Sequence, residues 1–170
     1  MGISGCNSIQ IALISNHLLN THSMKVPVST LLAEKQSKIF SMDVSATVMD
    51  AVKEMNHRQV GSLIILDGDS LVGMFTERDV LRRVVVPGLP ADTTSVADVM
   101  SKEVDTFGPT TTVTEALAHM NNKRHRHIPI VEGDRILGLI SIGDITRWLS
   151  KNSQNEAQSL LTYFTGGYDE

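Results

Sequence analysis

The chain has 170 residues, of which 41% are hydrophobic and 20% are charged, and its formal net charge at pH 7 is −4. This length suits one compact domain or two small lobes that share a core. The negative balance argues against a nucleic-acid-binding protein held by bulk charge, because such proteins are usually basic.

The first 23 residues carry no charged side chain, since Lys25 is the first one. They contain the single cysteine, Cys6, so the chain has neither an internal disulfide nor a CxxC pair, which fits a reducing compartment. They lack the basic start of a secretory signal and the arginine of a transit peptide, and no apolar run approaches the roughly 20 residues of a membrane helix. We expect residues 1–23 to be a disordered tail or a misassigned start, and the protein to be cytoplasmic, with no membrane partner.

From residue 47 onwards the chain repeats itself. Residues 47–82 align without a gap with residues 112–147, at an offset of 65, and 11 of the 36 pairs are identical. Such a match indicates duplication, and duplicated units usually stack to bury a shared core. Two copies are too few for a solenoid, so the pattern favours a closed pair.

Each copy predicts the same order of elements, β-α-β-β-α. Short strands are expected at 38–42 and 103–107, and the helices after them begin at capping boxes headed by Thr47 and Thr112. The apolar runs 62–66 and 127–131 suit buried strands. A turn follows each run, and the next apolar stretch (71–75 or 136–140) forms the second arm of a hairpin. Closing helices begin at Thr76 and Ser141, the first carried by Val80, Leu81 and Val84. The fold class is therefore α/β (α+β), with two repeats packed as a pseudo-two-fold pair.

The remaining segments set the domain boundaries. Residues 28–32 and 96–100 read as leaders to the two repeats, and the Pro- and Gly-containing stretch 87–95 predicts a linker. We therefore place the first repeat at 24–86 and the second at 96–150. Residues 151–170 are predicted to form a C-terminal helix and tail, with the helix ending at Gly166-Gly167.

With both repeats in view, the chain resembles the tandem cystathionine β-synthase-type (CBS) domain proteins, most closely the small stand-alone Bateman modules. The stretches that carry the resemblance are VADVMSKEV, TVTEALAHM, RHRHIPIVEGDRILGLISIGD and LVGMFTERDVLR, within roughly residues 28–149. The resemblance implies a non-catalytic regulatory module that binds AMP, ADP or ATP in a cleft between the repeats. NAD or S-adenosylmethionine is the alternative ligand. It further implies a homodimer and an unidentified regulated protein.

The resemblance also implies the ligand contacts. Its hydroxyl-x-x-Asp signature falls on Thr76 and Asp79 in the first repeat and on Ser141 and Asp144 in the second. In the family this aspartate accepts hydrogen bonds from ribose hydroxyls, and the Ser or Thr serves ribose or phosphate.

Basic residues ahead of the middle strand would face the phosphate, which points to Arg126 and His127. The first repeat has Gly61 and Ser62 at these positions, so its pocket is expected to be empty or weaker, with Arg78 as a partial replacement.

The same residues have plainer interpretations. The two hydroxyl-x-x-Asp signatures are also capping boxes that need no ligand, although a helix N-terminus after a buried strand is a natural phosphate seat. The basic stretch 123–127 could be a solvated face. If Arg126 starts a strand, however, one or two of the basic side chains at 125–127 must point inward, and a buried cation favours a bound anion.

No catalytic or metal-binding pattern is present in the sequence. It lacks HExxH, GxSxG, GxxxxGK[ST] and GxGxxG, and His125-x-His127 has no third ligand at a recognisable spacing. We therefore predict no enzyme and no metal site. Two alternatives stay open: a protein-interaction or structural module whose pockets have degenerated, and a dinucleotide enzyme, against which the missing catalytic Cys and phosphate loops argue.

Overall fold

A computed structural model of the chain describes residues 25–35 and 39–152. Its elements follow in the order α1 (Val28–Lys35), β1 (Ser41–Asp43), α2 (Val48–Arg58), β2 (Ser62–Asp67), β3 (Ser70–Thr76), α3 (Glu77–Asp79), a π-helix (Val80–Val85), α4 (Val96–Val99), α5 (Val113–Lys123), β4 (His127–Glu132) and β5 (Arg135–Ser141). Residues 142–152 are helical and are called α6. The predicted tail at 1–23 and all of the predicted C-terminal helix beyond residue 152 lie outside the described residues.

The predicted α+β class and the β-α-β-β-α order are confirmed, with one reduction. In the first repeat β1 pairs in parallel with β2, and Met42 lies opposite Ile65. In the second repeat the corresponding strand shrinks to a single parallel bridge between Phe107 and Ile130. Met42 and Phe107 are equivalent positions of the two repeats, as are Ile65 and Ile130, because each pair is 65 residues apart. The bridge therefore keeps the register of the first repeat.

The hairpins and helix starts also match the prediction. In the first repeat β2 and β3 are antiparallel, with Leu63 opposite Phe75. Gly68 and Gly133 occupy the two hairpin turns at a φ of 58°, a backbone conformation that favours glycine. Thr47 caps α2 and Thr112 caps α5, each in a reciprocal capping box with the acid three residues later.

The closing helix of the first repeat differs from the prediction. It is one α-helical turn followed by the π-helix Val80–Val85, in which the Val86 N–H donates to the Leu81 carbonyl. An i→i+5 helix rotates each residue less than the 3.6-residue period assumes. Val84 is therefore buried as expected, whereas Leu81 is 58% exposed and does not contribute to the core.

The two leaders exchange partners between the repeats. The Val28 N–H of α1 donates to the Thr111 carbonyl at 2.8 Å, ahead of the second repeat's helix α5. The Val96 N–H of α4 donates to the Ala46 carbonyl at 2.9 Å, ahead of the first repeat's helix α2. Since Ala46 and Thr111 are 65 residues apart, these are equivalent hydrogen bonds. Each leader is thus tied to the opposite repeat.

As a result, the compact units of the structure cut across the sequence repeats. The helical unit contains α1, α5 and α6 in residues 25–35, 110–126 and 141–152. The sheet unit contains the described residues of 39–109 and 127–140. Its core joins one face of α2 to the central strands, with Ala51, Leu63, Ile65 and Phe75 fully buried. This core fixes β3, which ends at the first candidate site.

Candidate functional site

The second hydroxyl-x-x-Asp signature lies where β5 ends and α6 begins, in the helical unit. The Ser141 hydroxyl donates to Asp144 Oδ2 at 2.7 Å, and the Ser141 N–H donates to the same oxygen at 2.9 Å. The Asp144 N–H in turn donates to Ser141 Oγ at 3.1 Å. These are the bonds of a capping box, so the plainer interpretation is confirmed as a structural role. The neighbours Ile140 and Ile145 are fully buried and hold the box in place.

Asp144 has a further partner that the sequence did not suggest. The ammonium of Lys35, the last residue of α1, lies 2.6 Å from Asp144 Oδ2. Burial raises the pKa of Asp144, but hydrogen bonds from Lys35 and Ser141 outweigh this effect, and the net pKa is below its ordinary value. Asp144 is therefore ionised at neutral pH and presents a charged acceptor that is only 13% exposed.

Arg126 lies next to this box through its backbone. The Ile142 N–H, in the first turn of α6, donates to the Arg126 carbonyl at 3.0 Å. The expectation that one or two basic side chains at 125–127 point inward assumes that Arg126 starts a strand. β4 begins only at His127, and Arg126 is exposed, whereas His125 and His127 are each half-buried. His127 is half-buried, and His125 precedes the strand, so these two histidines do not share a strand face. Any role of Arg126 in holding an anion thus depends on its position beside α6 and not on a buried charge.

The first signature, in the sheet unit, has the same capping geometry. The Thr76 hydroxyl and N–H donate to Asp79 Oδ2 at 2.6 and 2.9 Å. The other oxygen accepts from the Ser101 hydroxyl at 3.3 Å and lies 3.6 Å from Nε of Arg83. Asp79 is 7% exposed. Its partners therefore tie the start of α3 to the segment that follows α4, while Arg78 is exposed on the same turn.

The two sites differ most at the position of Arg126. The Glu77 N–H donates to the Gly61 carbonyl at 3.2 Å, which is the counterpart of the bond between Ile142 and Arg126. The Glu77 carboxylate folds over Gly61, with Oε2 3.2 Å from where a Cβ on Gly61 would stand. The first repeat therefore has an acid where the second has an arginine. The alignment pairs Gly61 with Arg126 and Glu77 with Ile142, so the lost arginine and the gained acid were readable from the sequence, but their closeness was not.

Glu77 and Gly61 belong to a groove of about 430 Å³ in the sheet unit. The groove lies against α2, and its other lining residues are Val52, Met55, Asn56, Gln59, Val60 and Val80. Glu77 gives this groove a negative charge, which opposes a phosphate. The expectation that the first-repeat pocket is the weaker anion site agrees with this charge, although occupancy itself stays a prediction.

Within residues 25–35 and 39–152, no helix combines the length and apolar composition needed to cross a membrane.

Comparisons with known proteins point to one family. The family model described as CBS domain matches twice, at residues 35–86 and 96–151. The CBS domain-containing protein CBSX3 of Arabidopsis thaliana, described as mitochondrial, is 39% identical over 127 residues. That match covers 72% of this chain and 62% of the relative, so the chain spans less than two thirds of the relative's length.

Solved structures agree with the sequence matches. A protein with CBS domains from Burkholderia ambifaria superposes with a TM-score of 0.70 at 32% identity, covering 73% of this chain and 93% of its own. The hexameric CBS-CP12 protein from bloom-forming cyanobacteria gives a TM-score of 0.65 at 28% identity, covering 72% and 67%.

Proposed function

The chain belongs to the CBS domain family, and we propose that it is a regulatory module that binds an adenine nucleotide beside Ser141, Asp144 and Arg126. It is a CBS-domain pair, and such pairs are generally regulatory or signalling and non-catalytic. AMP, ADP or ATP is the proposed ligand, ahead of NAD or S-adenosylmethionine. The regulated protein and the cytoplasmic location stay predictions from the sequence.

The observation that carries this proposal is the pairing of an ionised, half-buried carboxylate with the N-terminus of α6. The N-terminus of a helix carries the positive end of the helix dipole and so attracts anions. The dipole remains available in α6, although the Ile142 and Asp144 N–H groups already donate to the Arg126 carbonyl and to Ser141 Oγ. Arg126 is bonded to this turn through its backbone, and we propose that its exposed guanidinium turns to the phosphate. Asp144 is a charged acceptor suited to ribose hydroxyls, since charge-assisted hydrogen bonds are stronger than neutral ones. The phosphate is thus matched by a cation and a helix N-terminus, and the ribose hydroxyls by a charged acceptor, in one place.

A thermal-shift panel tests the function. We expect saturating AMP, ADP or ATP to raise the melting temperature by several degrees, because a ligand that binds only the folded state stabilises it by about 2.7 kcal/mol at 100 times its Kd. GMP and inorganic phosphate serve as matched controls for the base and the anion, and S-adenosylmethionine and NAD complete the panel. If no adenosyl ligand changes the melting temperature at millimolar concentration, the nucleotide-binding function is wrong.

The second candidate function, a protein-interaction module, is favoured by the surface of the π-helix. Leu81, Val85 and Val86 are 58%, 61% and 75% exposed in the sheet unit. Monomeric proteins seldom expose a contiguous group of large apolar side chains, and such groups often mark an interface. The two functions are compatible, because a regulatory module needs a surface that a partner can contact.

We propose that this apolar surface joins two copies of the chain in a homodimer, as the resemblance implies. Light scattering at tens of micromolar should give twice the chain mass of 18.6 kDa. The double variant Val85→Glu, Val86→Glu should give a monomer with unchanged secondary structure, whereas Ala118→Glu on the exposed part of α5 should leave the mass unchanged. A wild-type monomer, with and without AMP, would contradict the dimer.

A further inference from the structure

Lys35 occupies the acceptor that a nucleotide would need at Asp144. Oδ2 of Asp144 accepts from three donors, namely the Lys35 ammonium at 2.6 Å and the N–H and hydroxyl of Ser141. A carboxylate oxygen offers two lone-pair sites, so three donors leave Oδ2 no remaining capacity. Oδ1 has the Arg147 guanidinium 3.7 Å away, on a side chain that is 80% exposed. A ribose hydroxyl that engages Oδ2 must therefore displace one of its donors, and Lys35 is the one that does not belong to the capping box.

Displacing Lys35 is costly unless the ligand brings a new anion. The Lys35 and Asp144 side chains are only 27% and 13% exposed, so the pair is partly withdrawn from water. Removing one partner of such a pair leaves the other charge poorly solvated. The lysine ammonium sits on a flexible four-carbon stem and can change partner while the backbone of α1 stays in place. A phosphate near the first turn of α6 would be such a partner.

We infer that Lys35 determines the ligand specificity of this site by exchanging its ion pair with Asp144 for one with the ligand's phosphate. The inference rests on the proposed nucleotide-binding function and adds a selection rule to it. Phosphorylated adenosines replace the lost carboxylate, whereas uncharged adenosine does not. The site therefore prefers AMP to adenosine.

Lys35 is not the main anchor of α1, and this makes the inference testable. The adjacent Glu34 accepts a hydrogen bond from Trp148 Nε1 at 3.2 Å and another from the Lys151 ammonium at 3.1 Å. Val28 and Leu31 of α1 are buried as well. Trp148 is only 7% exposed, so this contact anchors the end of α1 independently of Lys35.

The experiment compares AMP and adenosine by titration calorimetry on the full chain, well below the melting temperature of each variant. We expect Lys35→Met to lower the ratio of AMP affinity to adenosine affinity by about tenfold or more, because AMP loses a charge-assisted bond and adenosine no longer competes with an ammonium. Lys35→Arg should keep most of the ratio.

Glu34→Gln is the matched control, since it weakens the other polar anchors of α1 and leaves Asp144 untouched. Its affinity ratio should stay within about twofold of the wild type. If Lys35→Met keeps the wild-type ratio while AMP still binds, Lys35 does not select the ligand. The same holds if Glu34→Gln lowers the ratio equally. Either result overturns the inference and leaves the proposed nucleotide-binding function standing. If the wild type binds neither AMP nor adenosine at millimolar concentration, the proposed function fails and the inference fails with it.

Discussion

Replacing Asp144 with alanine should weaken AMP binding by about tenfold or more. The carboxylate is ionised at neutral pH, because its hydrogen bonds with Lys35 and Ser141 hold its pKa below the ordinary value despite the effect of burial. Hydrogen bonds to a charged group contribute about 1.5–3 kcal/mol each, and about 1.4 kcal/mol corresponds to tenfold in affinity. The loss of one such bond therefore accounts for the expected change.

The effect of Asp144→Ala on folding stability must be separated from its effect on AMP affinity. Asp144→Ala also removes half of a capping box, which costs about 1 kcal/mol of folding stability. Asp144→Asn keeps an acceptor for the Ser141 N–H but loses the charge, so it should bind AMP nearly as weakly while unfolding closer to the wild type. Calorimetry well below the melting temperature measures the affinity. Unchanged affinity in Asp144→Ala, or a larger loss in Asp79→Ala, would contradict the assignment of the second repeat as the main site.

The parts of the fold that the sequence predicted correctly are those set by local patterns. Thr47 and Thr112 each form a capping box with the acid three residues later, and Gly68 and Gly133 each mark a hairpin turn. The apolar runs in β2 and β4 are continuous over a few residues. Each of these signals depends on residues that are close in the chain, and each occurs twice because of the repeat at an offset of 65. This is why the order of elements could be predicted without a structure.

Features that depend on distant contacts could not be predicted in this way. Lys35 contacts Asp144 across 109 residues, and no local pattern links the end of α1 to the start of α6. The sequence showed that each repeat has a leader segment. That each leader bonds to the opposite repeat depends on tertiary packing, which the sequence does not show. The π-helix breaks the assumed period and exposes Leu81. A strand boundary one residue later than assumed leaves Arg126 ahead of β4, where it is exposed.

The two repeats keep one capping geometry and have diverged in the groups around it. Beside Asp144 the second partner is a cation, Lys35, whereas beside Asp79 it is the neutral hydroxyl of Ser101, with Arg83 farther away. The neighbouring position is Arg126 in the second repeat, and in the first it is Gly61 under the Glu77 carboxylate. These differences place an ion-paired lysine at the second box and a carboxylate near the first. One duplicated motif thereby provides a candidate anion site and a structural clamp.

The clamp makes a prediction of its own, on stability. Asp79→Ala should lower the free energy of unfolding by about 2–4 kcal/mol, because it leaves the Thr76 N–H and the Ser101 hydroxyl without their acceptor and Arg83 without its carboxylate. Urea unfolding measures this loss as a lower midpoint at an unchanged slope. AMP affinity should stay within about twofold of the wild type, because the Glu77 carboxylate near the first box opposes a phosphate.

Asp50→Ala is the matched control, since Asp50 completes the capping box of α2 on an exposed surface and, among residues 25–35 and 39–152, bonds only within that box. Its loss of stability should be less than half of that in Asp79→Ala, because water replaces the carboxylate at an exposed cap. The difference between the two variants then measures what the contacts with Ser101 and Arg83 add to an ordinary cap. Equal losses in the two variants would mean that Asp79 only caps α3. A tenfold loss of AMP affinity in Asp79→Ala would mean that the first repeat binds the nucleotide after all, and that the Glu77 carboxylate does not exclude a phosphate.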